Sequence, residues 1–483
     1  MQAIALCVIY IKIQCKMRRR QTVLKKNIGM ILSLIILLIS FFIPEGGGLS
    51  SAAIRTIGLS VAFLCLLVTE ALPLSITCWT MLVLMPMFGV VQGFPQALTG
   101  FSNPVVFFIL GSFGISAAFT TLPLSKRIMI VLLKYFGKNI KSFLFALMLC
   151  ILPITAFISS VPACTLFMAI GLSFLELFEN EDDKKATGRA FMIAIPVTCL
   201  FGGMATPVGS TMNLLALDLL EQYTGQIITF VQWMSVGVPL VILVLPIWWL
   251  LVYKIYKPAE INENMVKTFI ERLNVPSKMN TQEKKVLAIT SIMIILWIMS
   301  SWVSQINVIM VTLLGTCIMF FPGIQVLEWK SFIKGVNLDP VFLLGTVLSI
   351  GNAMIDNGVS DWISSLFPSS PMALPMLMVF TVLLVLGILI IMPVAPSVVM
   401  FLAVPLIALA EATGHNPTLI ILTLGMASGN CYLLPLDTIP LITYGSGYYS
   451  MLDLPKSTLF LQMYILILLP LVLWVASSVL HII

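Results

Sequence analysis

The apolar sequence of this chain is interrupted by proline and small residues at three places, and each interruption occurs twice. Val161-Pro162-Ala163-Cys164-Thr165-Leu166-Phe167-Met168-Ala169 is answered by Ala395-Pro396-Ser397-Val398-Val399-Met400-Phe401-Leu402-Ala403. Upstream, Asn103-Pro104-Val105-Val106-Phe107 matches Asp339-Pro340-Val341-Phe342-Leu343. Downstream, Thr206-Pro207-Val208-Gly209-Ser210 matches Leu434-Pro435-Leu436-Asp437-Thr438. The proline pairs are offset by 236, 234 and 228 positions (340−104, 396−162, 435−207), so about half the chain is duplicated. Apolar segments broken by Gly and Pro at corresponding places in two halves mark the binding site of a secondary transporter.

Composition sets the solvent. With 59% hydrophobic and 10% charged residues, the chain could not cover its apolar surface in water. Many stretches reach the roughly 18 apolar residues that argue for a membrane span. The nine cysteines are scattered through apolar segments without CxxC spacing, so they read as small packers with no disulfide framework. Residues 2–11 are apolar, but the basic run follows them, which argues against a cleavable leader.

Charge placement then sets an expected topology. Lys12, Lys16, Arg18, Arg19, Arg20, Lys25 and Lys26 precede the first span, so the N-terminus is expected in the cytoplasm. Spans are expected at about 28–44, 53–72, 74–91 and 104–122. Segment 142–178 lies between Lys126–Lys141 and Glu179–Lys185, both cytoplasmic in character, so it is expected to turn back inside the membrane as a re-entrant hairpin. An interrupted span at 186–222 and a span at 228–253 follow. A polar linker at 254–285 joins the halves. Spans at 286–303, 305–321 and 340–358 lead to a second hairpin at 372–411, broken at Pro393–Ser397. A broken span at 416–447 and a last span at 458–480 place the C-terminus outside.

The fold class is thus an all-α polytopic membrane protein with about eleven transmembrane helices and two re-entrant hairpins. Residues 1–52 form an N-terminal segment and first span. Residues 53–253 and 286–483 form two repeats of opposite orientation. Arg55 is the one Lys or Arg that falls outside the cytoplasmic side of this scheme.

Irregular backbone at membrane depth is tolerated only inside protein or against a water-filled cavity. Each of the four breaks would present helix N-terminal amides carrying roughly half a positive charge. Arg55 and Arg189 stand within three residues of a span start, and no other Lys or Arg falls in the expected spans or hairpins, so a transported anion would be held by helix ends and neutral donors. Candidate substrate-binding residues are Ser159, Ser160, Thr206, Pro207, Ser210, Ser397, Pro435 and Thr438. Candidate ligands for a coupling cation are Thr155, Ser159, Gly203, Asn213, Asn430 and Asp437, an oxygen-rich set suited to a small hard cation. Asp437, a carboxylate at a midplane break, could ligate that cation, carry a proton, or cap a helix. Glu70 and the distant His415 and His481 read as boundary residues. Trp79, Trp233, Trp248 and Trp249 suit interfacial or packing positions.

The chain resembles the divalent anion/sodium symporter family over about residues 53–480. Thr69-Glu70-Ala71-Leu72-Pro73 is similar to an early family segment, and Gly202–Asn213 to its glycine-rich broken helix. Gly429–Leu441 and Tyr444–Tyr448 resemble the second such region. The resemblance implies import or exchange of di- or tricarboxylates, or of sulfate, with sodium as coupling ion. It also implies a homodimer whose transport domains move by an elevator motion. At the hairpin tips, where the family carries Ser-Asn-Thr, this chain has Ser159-Ser160-Val161 and Ala395-Pro396-Ser397. A sulfate-like oxyanion carrier and a cation/proton antiporter are the alternatives within transport.

No other cofactor and no nucleic-acid partner is implied. An intramembrane zinc protease would need a helical HExxH, and the two histidines form none. An aspartyl protease would need a second carboxylate near Asp437.

Overall fold

The computed structural model describes residues 26–46, 48–69, 71–336, 338–359, 362, 372–391 and 395–480. The basic N-terminal segment, Glu70, His481 and residues 392–394 of the expected second tip lie outside them. The described secondary structure is helical: α1 (Lys26–Phe42), α2 (Ser51–Thr69), α3 (Leu74–Met87), α4 (Phe94–Ala97), α5 (Pro104–Thr121), α6 (Leu124–Phe136), α7 (Ile140–Ile158), α8 (Ser160–Leu175), α9 (Glu181–Gly202), α10 (Thr211–Thr224), α11 (Phe230–Tyr256), α12 (Glu263–Arg272), α13 (Thr281–Met299), α14 (Val308–Ile318), α15 (Trp329–Gly335), α16 (Asp339–Asp356), α17 (Leu374–Ile391), α18 (Ala395–Ala412), α19 (Pro417–Ser428), α20 (Thr438–Tyr444) and α21 (Asp453–Leu480). Asparagine and hydroxyl caps start many of them. Asn139, Asn180, Asn262, Asn280, Asn307 and Asn416 each accept an amide proton of the first turn, and Thr229 makes a reciprocal capping box with Gln232. Among the described residues, six helices are long and apolar enough to cross a membrane, and shorter apolar helices accompany them. The chain is a multi-pass membrane protein.

Two compact units form. The first comprises the described residues of Met1–Asn103 and Asn337–Phe367, the second those of Pro104–Val336 and Pro368–Ile483. Within the first, α16 packs on α2 and α3, and Ser75 donates a hydrogen bond to the Asp339 carboxylate. Within the second, α5 packs on α14, where Thr316 donates to the Gly111 carbonyl at 2.7 Å. The units therefore cut across the sequence repeats, because helices from one half pair with helices of the other.

In the second unit, α7 and α8 both pack on α9, and α11 packs on α7 and α9. Likewise α17 and α18 both pack on α19, and α21 packs on α17 and α19. The two sets interlock: α10 lies on α18 and α19, α20 on α8 and α9, and α11 on α21.

Segment 140–175 is a hairpin. Phe143, in the first turn of α7, stacks on Phe174, in the last turn of α8, with ring centroids 4.2 Å apart. Phe191 of α9 and Phe269 of α12 close around that pair. Other charged chain ends gather at the same end of the unit: Arg127 with Glu283 (2.6 Å), Arg272 with Glu176 (3.7 Å), and Arg189 with Asp453 (3.8 Å). There, too, the Tyr256 hydroxyl donates to the Asp453 carbonyl at 2.8 Å.

The opposite end joins the start of α11 to the end of α13 (Val231 N–H to Ser301 Oγ, 3.0 Å) and the end of α13 to the start of α14 (Trp297 Nε1 to Val308 O, 3.2 Å). At that end His415 Nε2 also meets the Met372 carbonyl at 2.6 Å, bringing together the start of α17 and the end of α18. The two helix pairs thus open toward opposite ends of the unit.

Two segments read as polar loop in the sequence are helical. The charges of α6 hide a buried face of Leu124, Ser125, Met129 and Leu133, and the linker's α12 buries Val266 and Phe269.

Candidate functional site

The first hairpin turns at Ser159, whose φ of 103° lies in a region that L-residues other than glycine rarely occupy. The turn leaves α8 without a side-chain cap, so its first amides are open. Ala156, just before the tip, accepts a hydrogen bond from the Thr206 hydroxyl. Thr206 Oγ1 in turn accepts the Gly209 N–H at 3.1 Å. Ser160 Oγ donates to the Cys199 carbonyl at 2.9 Å. The hairpin tip is thereby fastened to the break between α9 and α10.

That break, residues 203–210, is two short 3₁₀ turns held by Asn213, which is 1% exposed. Asn213 Nδ2 donates to the carbonyls of Gly203 (2.9 Å) and Thr206 (2.8 Å). Glycine is required at position 209, where a Cβ would stand 2.5 Å from the Gly203 oxygen and 3.0 Å from the Ala156 oxygen. Pro207 is buried in the same turn, and Ser210 caps α10 through the Met212 N–H. Thr155 is spent on its own helix, donating to Ile151 and Leu152 carbonyls at 3.1 Å.

The second break, residues 429–437, separates α19 from α20. Asn430, fully buried, donates to the Ala427 carbonyl at 2.9 Å and to that of Met426 at 3.2 Å, while its Oδ1 accepts the Tyr432 hydroxyl at 2.6 Å. Gln462 of α21 donates to the Asn430 carbonyl at 2.9 Å. Pro435 is buried in this turn. Asp437 caps α20 by accepting the Ile439 N–H at 3.1 Å, so the capping role is realised, and the protein's own carboxylate occupies that helix start. A cavity of about 10 Å³, the size of one water, lies between α17, this loop and Gln462.

The two breaks touch. Met204 packs so closely on Gly429 that an added Cβ would be 3.0 Å from its methyl carbon. The Cys164 thiol, one turn past the first tip, donates to the Ile439 carbonyl at 3.6 Å. Ser160, Thr206 and Asn213 thus gather around the first break, and α8 and Met204 bring that break against the second one. Ser397 sits in the first turn of α18, which packs on α10.

Most hydroxyls here hold the fold. Three do not: the hydroxyls of Ser159 and Thr438 make no hydrogen bond among the described residues, and Ser397 Oγ is buried without a partner among them. No Lys or Arg occurs in residues 142–183, 190–253 or 335–455.

Sequence reading missed Gln462 and Tyr432. Gln462 was visible as the one amide in the apolar run of α21, whereas the use of Tyr432 depends on the turn it closes. Trp233 and Trp248 are buried packing residues; the Trp233 indole N–H holds the Met204 carbonyl at 2.9 Å.

Paired helical hairpins and broken helices meeting in one bundle are the architecture of a membrane transporter. Residues 24–482 match the family model described as the sodium:sulfate symporter transmembrane region. The chain belongs to this divalent anion/sodium symporter family. A sodium-dependent dicarboxylate transporter, SdcS of Staphylococcus aureus, is 24% identical over 454 residues, covering 88% of this chain and 86% of that protein. Among solved structures, the Alcanivorax borkumensis YdaH transporter aligns with TM-score 0.55 at 13% identity, over 87% of this chain and 98% of its own. MtrF of Neisseria gonorrhoeae aligns with TM-score 0.55 at 9% identity, over 93% and 94%. These likenesses extend to the fold.

Proposed function

We propose that this protein is a secondary transporter for small organic anions, di- or tricarboxylates, coupled to sodium. The carrying observation is that Ser159 has a free hydroxyl at the uncapped start of α8 and Thr438 a free hydroxyl at the start of α20, two helices joined by the Cys164 thiol on the Ile439 carbonyl at 3.6 Å, with no basic side chain nearby in sequence. Such a site attracts carboxylate oxygens through peptide dipoles and neutral donors, which bind weakly enough to release. Asp437, the unpartnered Ser397 hydroxyl and the carbonyls of the two turns supply oxygens for the cation. The anion and the cation would thus use different faces of the same pair of breaks. The name of the SdcS relative supports the dicarboxylate.

Two halves of opposite orientation, 53–253 and 286–483, would exchange the access of this site between the two sides. Support comes from the matching packing of α7–α11 and α17–α21 and from hairpins that open toward opposite ends. The charged end would face the cytoplasm, with the N-terminus inside and the C-terminus outside. A homodimeric, elevator-like motion is the family-level expectation carried over.

The test is uptake of labelled succinate or sulfate into proteoliposomes, with and without an inward sodium gradient. Sodium-stimulated succinate uptake is expected. Sulfate uptake alone would assign the site to the oxyanion, and sodium–proton exchange without anion flux would overturn the proposal.

A further inference from the structure

Where α6 turns into α7, a set of lysines has no use in the proposed transport cycle. Lys134, Lys138 and Lys141 are exposed, as is Lys254 on the last turn of α11, and none of them forms an ion pair among the described residues. Lys141 is the fixed member. The Trp249 indole N–H donates to the Lys141 carbonyl at 2.8 Å, and the Lys141 ammonium stands 5.2 Å from the Trp249 ring and 5.7 Å from that of Tyr253. Phe145 packs edge-on against Trp249 and against Phe136, tying the end of α6 to the same spot.

Below these rings the surface is apolar. Ile242 and Pro246 are exposed and fall on the face of α11 that carries Trp249 and Tyr253, at spacings of four, three and four residues. On α6, Tyr135 is exposed next to Lys134, and Val131 is exposed one turn earlier. Apolar track, aromatic pair and the Lys141 ammonium thus follow one another along one line. That is the order of acyl chain, interface and phosphate in a bilayer leaflet.

We infer that the α6–α7 turn and the end of α11 form a binding site for an anionic phospholipid. Its phosphate sits at Lys138, Lys141 and Lys254, and an acyl chain lies along Ile242 and Pro246. Charge complementarity selects the occupant, since the lysines lack acidic partners and the track beneath them is hydrocarbon-like. The inference depends on the membrane setting and is independent of the substrate.

It is tested by thermal unfolding of the purified chain in detergent, titrated with dioleoyl phosphatidylglycerol, dioleoyl phosphatidylcholine or glycerol phosphate. Phosphatidylglycerol is expected to raise the unfolding temperature saturably, and the other two to leave it unchanged. Each lysine is worth about fivefold in affinity at a membrane surface. Lys138→Gln/Lys141→Gln should therefore weaken the apparent phosphatidylglycerol affinity about 25-fold, Lys141→Arg should retain it, and Lys184→Gln/Lys185→Gln at the charged start of α9 should be neutral. Trp249→Leu provides a variant with all charges kept, expected to weaken binding as well. An equal response to phosphatidylcholine, a full response to glycerol phosphate alone, or undiminished affinity in both the lysine and the tryptophan variants would overturn the inference.

Discussion

Replacing Thr206 by valine removes a hydroxyl while nearly preserving shape, at the point where the first hairpin tip is fastened to the first broken helix. Two buried hydrogen bonds are lost, the one donated to the Ala156 carbonyl and the one accepted from the Gly209 amide at 3.1 Å. Each contributes about 1 kcal/mol net, and leaving a peptide carbonyl and amide without partners adds about as much again in part. The closed tip should lose about 3 kcal/mol, or roughly 150-fold in its opening equilibrium. Cys164 and Cys199 are completely buried behind this tip, so their alkylation requires local opening. Maleimide modification of these two cysteines, followed by mass spectrometry on protein in detergent, should accelerate by about two orders of magnitude in Thr206→Val. Thr206→Ser, which keeps both bonds, should label at the wild-type rate. Equal rates in Thr206→Val and wild type would refute the claim that this hydroxyl fastens the tip.

Further substitutions separate structural from functional groups. Ser397→Ala should leave thermal stability unchanged or raise it, since its hydroxyl has no partner, but should weaken the sodium dependence of uptake; lower stability with unchanged sodium dependence would contradict this. Glu283→Ala orphans Arg127, whose guanidinium also holds the Pro276 and Lys278 carbonyls at 2.6 and 2.8 Å. With Glu283 only 1% exposed, a loss of about 3 kcal/mol is expected in denaturant unfolding, and a neutral result would show the pair to be dispensable. Gln462→Leu should reduce transport while leaving membrane insertion intact, because it frees the Asn430 carbonyl and loosens the second break; unaltered kinetics would remove it from the site's support.

The breaks were legible because proline clusters there with glycine and small polar residues, where the isolated prolines of α7, α9 and α11 leave their helices continuous. Charge on both flanks of segment 142–178 suggested a chain that folds back on itself. The Phe143–Phe174 stack is the packed form of that return. The division of labour among the hydroxyls was not legible. Thr206 reaches Ala156 across fifty positions and Ser160 reaches Cys199 across thirty-nine, so whether a serine or threonine is free depends on packing that periodicity does not encode. Asn213 and Asn430 stood out as polar residues at breaks, yet their Nδ2 groups hold turn carbonyls. Helices α6 and α12 were obscured because lysines and acids interrupt apolar positions that share one face. The crossing of α5 onto α14 and of α16 onto α3 was equally hidden, since matching halves carry the same pattern whichever partner each helix takes.

The free hydroxyls at the first hairpin tip and just past the second break are the heart of the proposed site, and counterflow tests them most directly. Proteoliposomes preloaded with unlabelled succinate should accumulate external labelled succinate transiently, and both Ser159→Ala and Thr438→Ala should suppress that overshoot while inserting normally. Wild-type counterflow in both variants would contradict a site built on these hydroxyls.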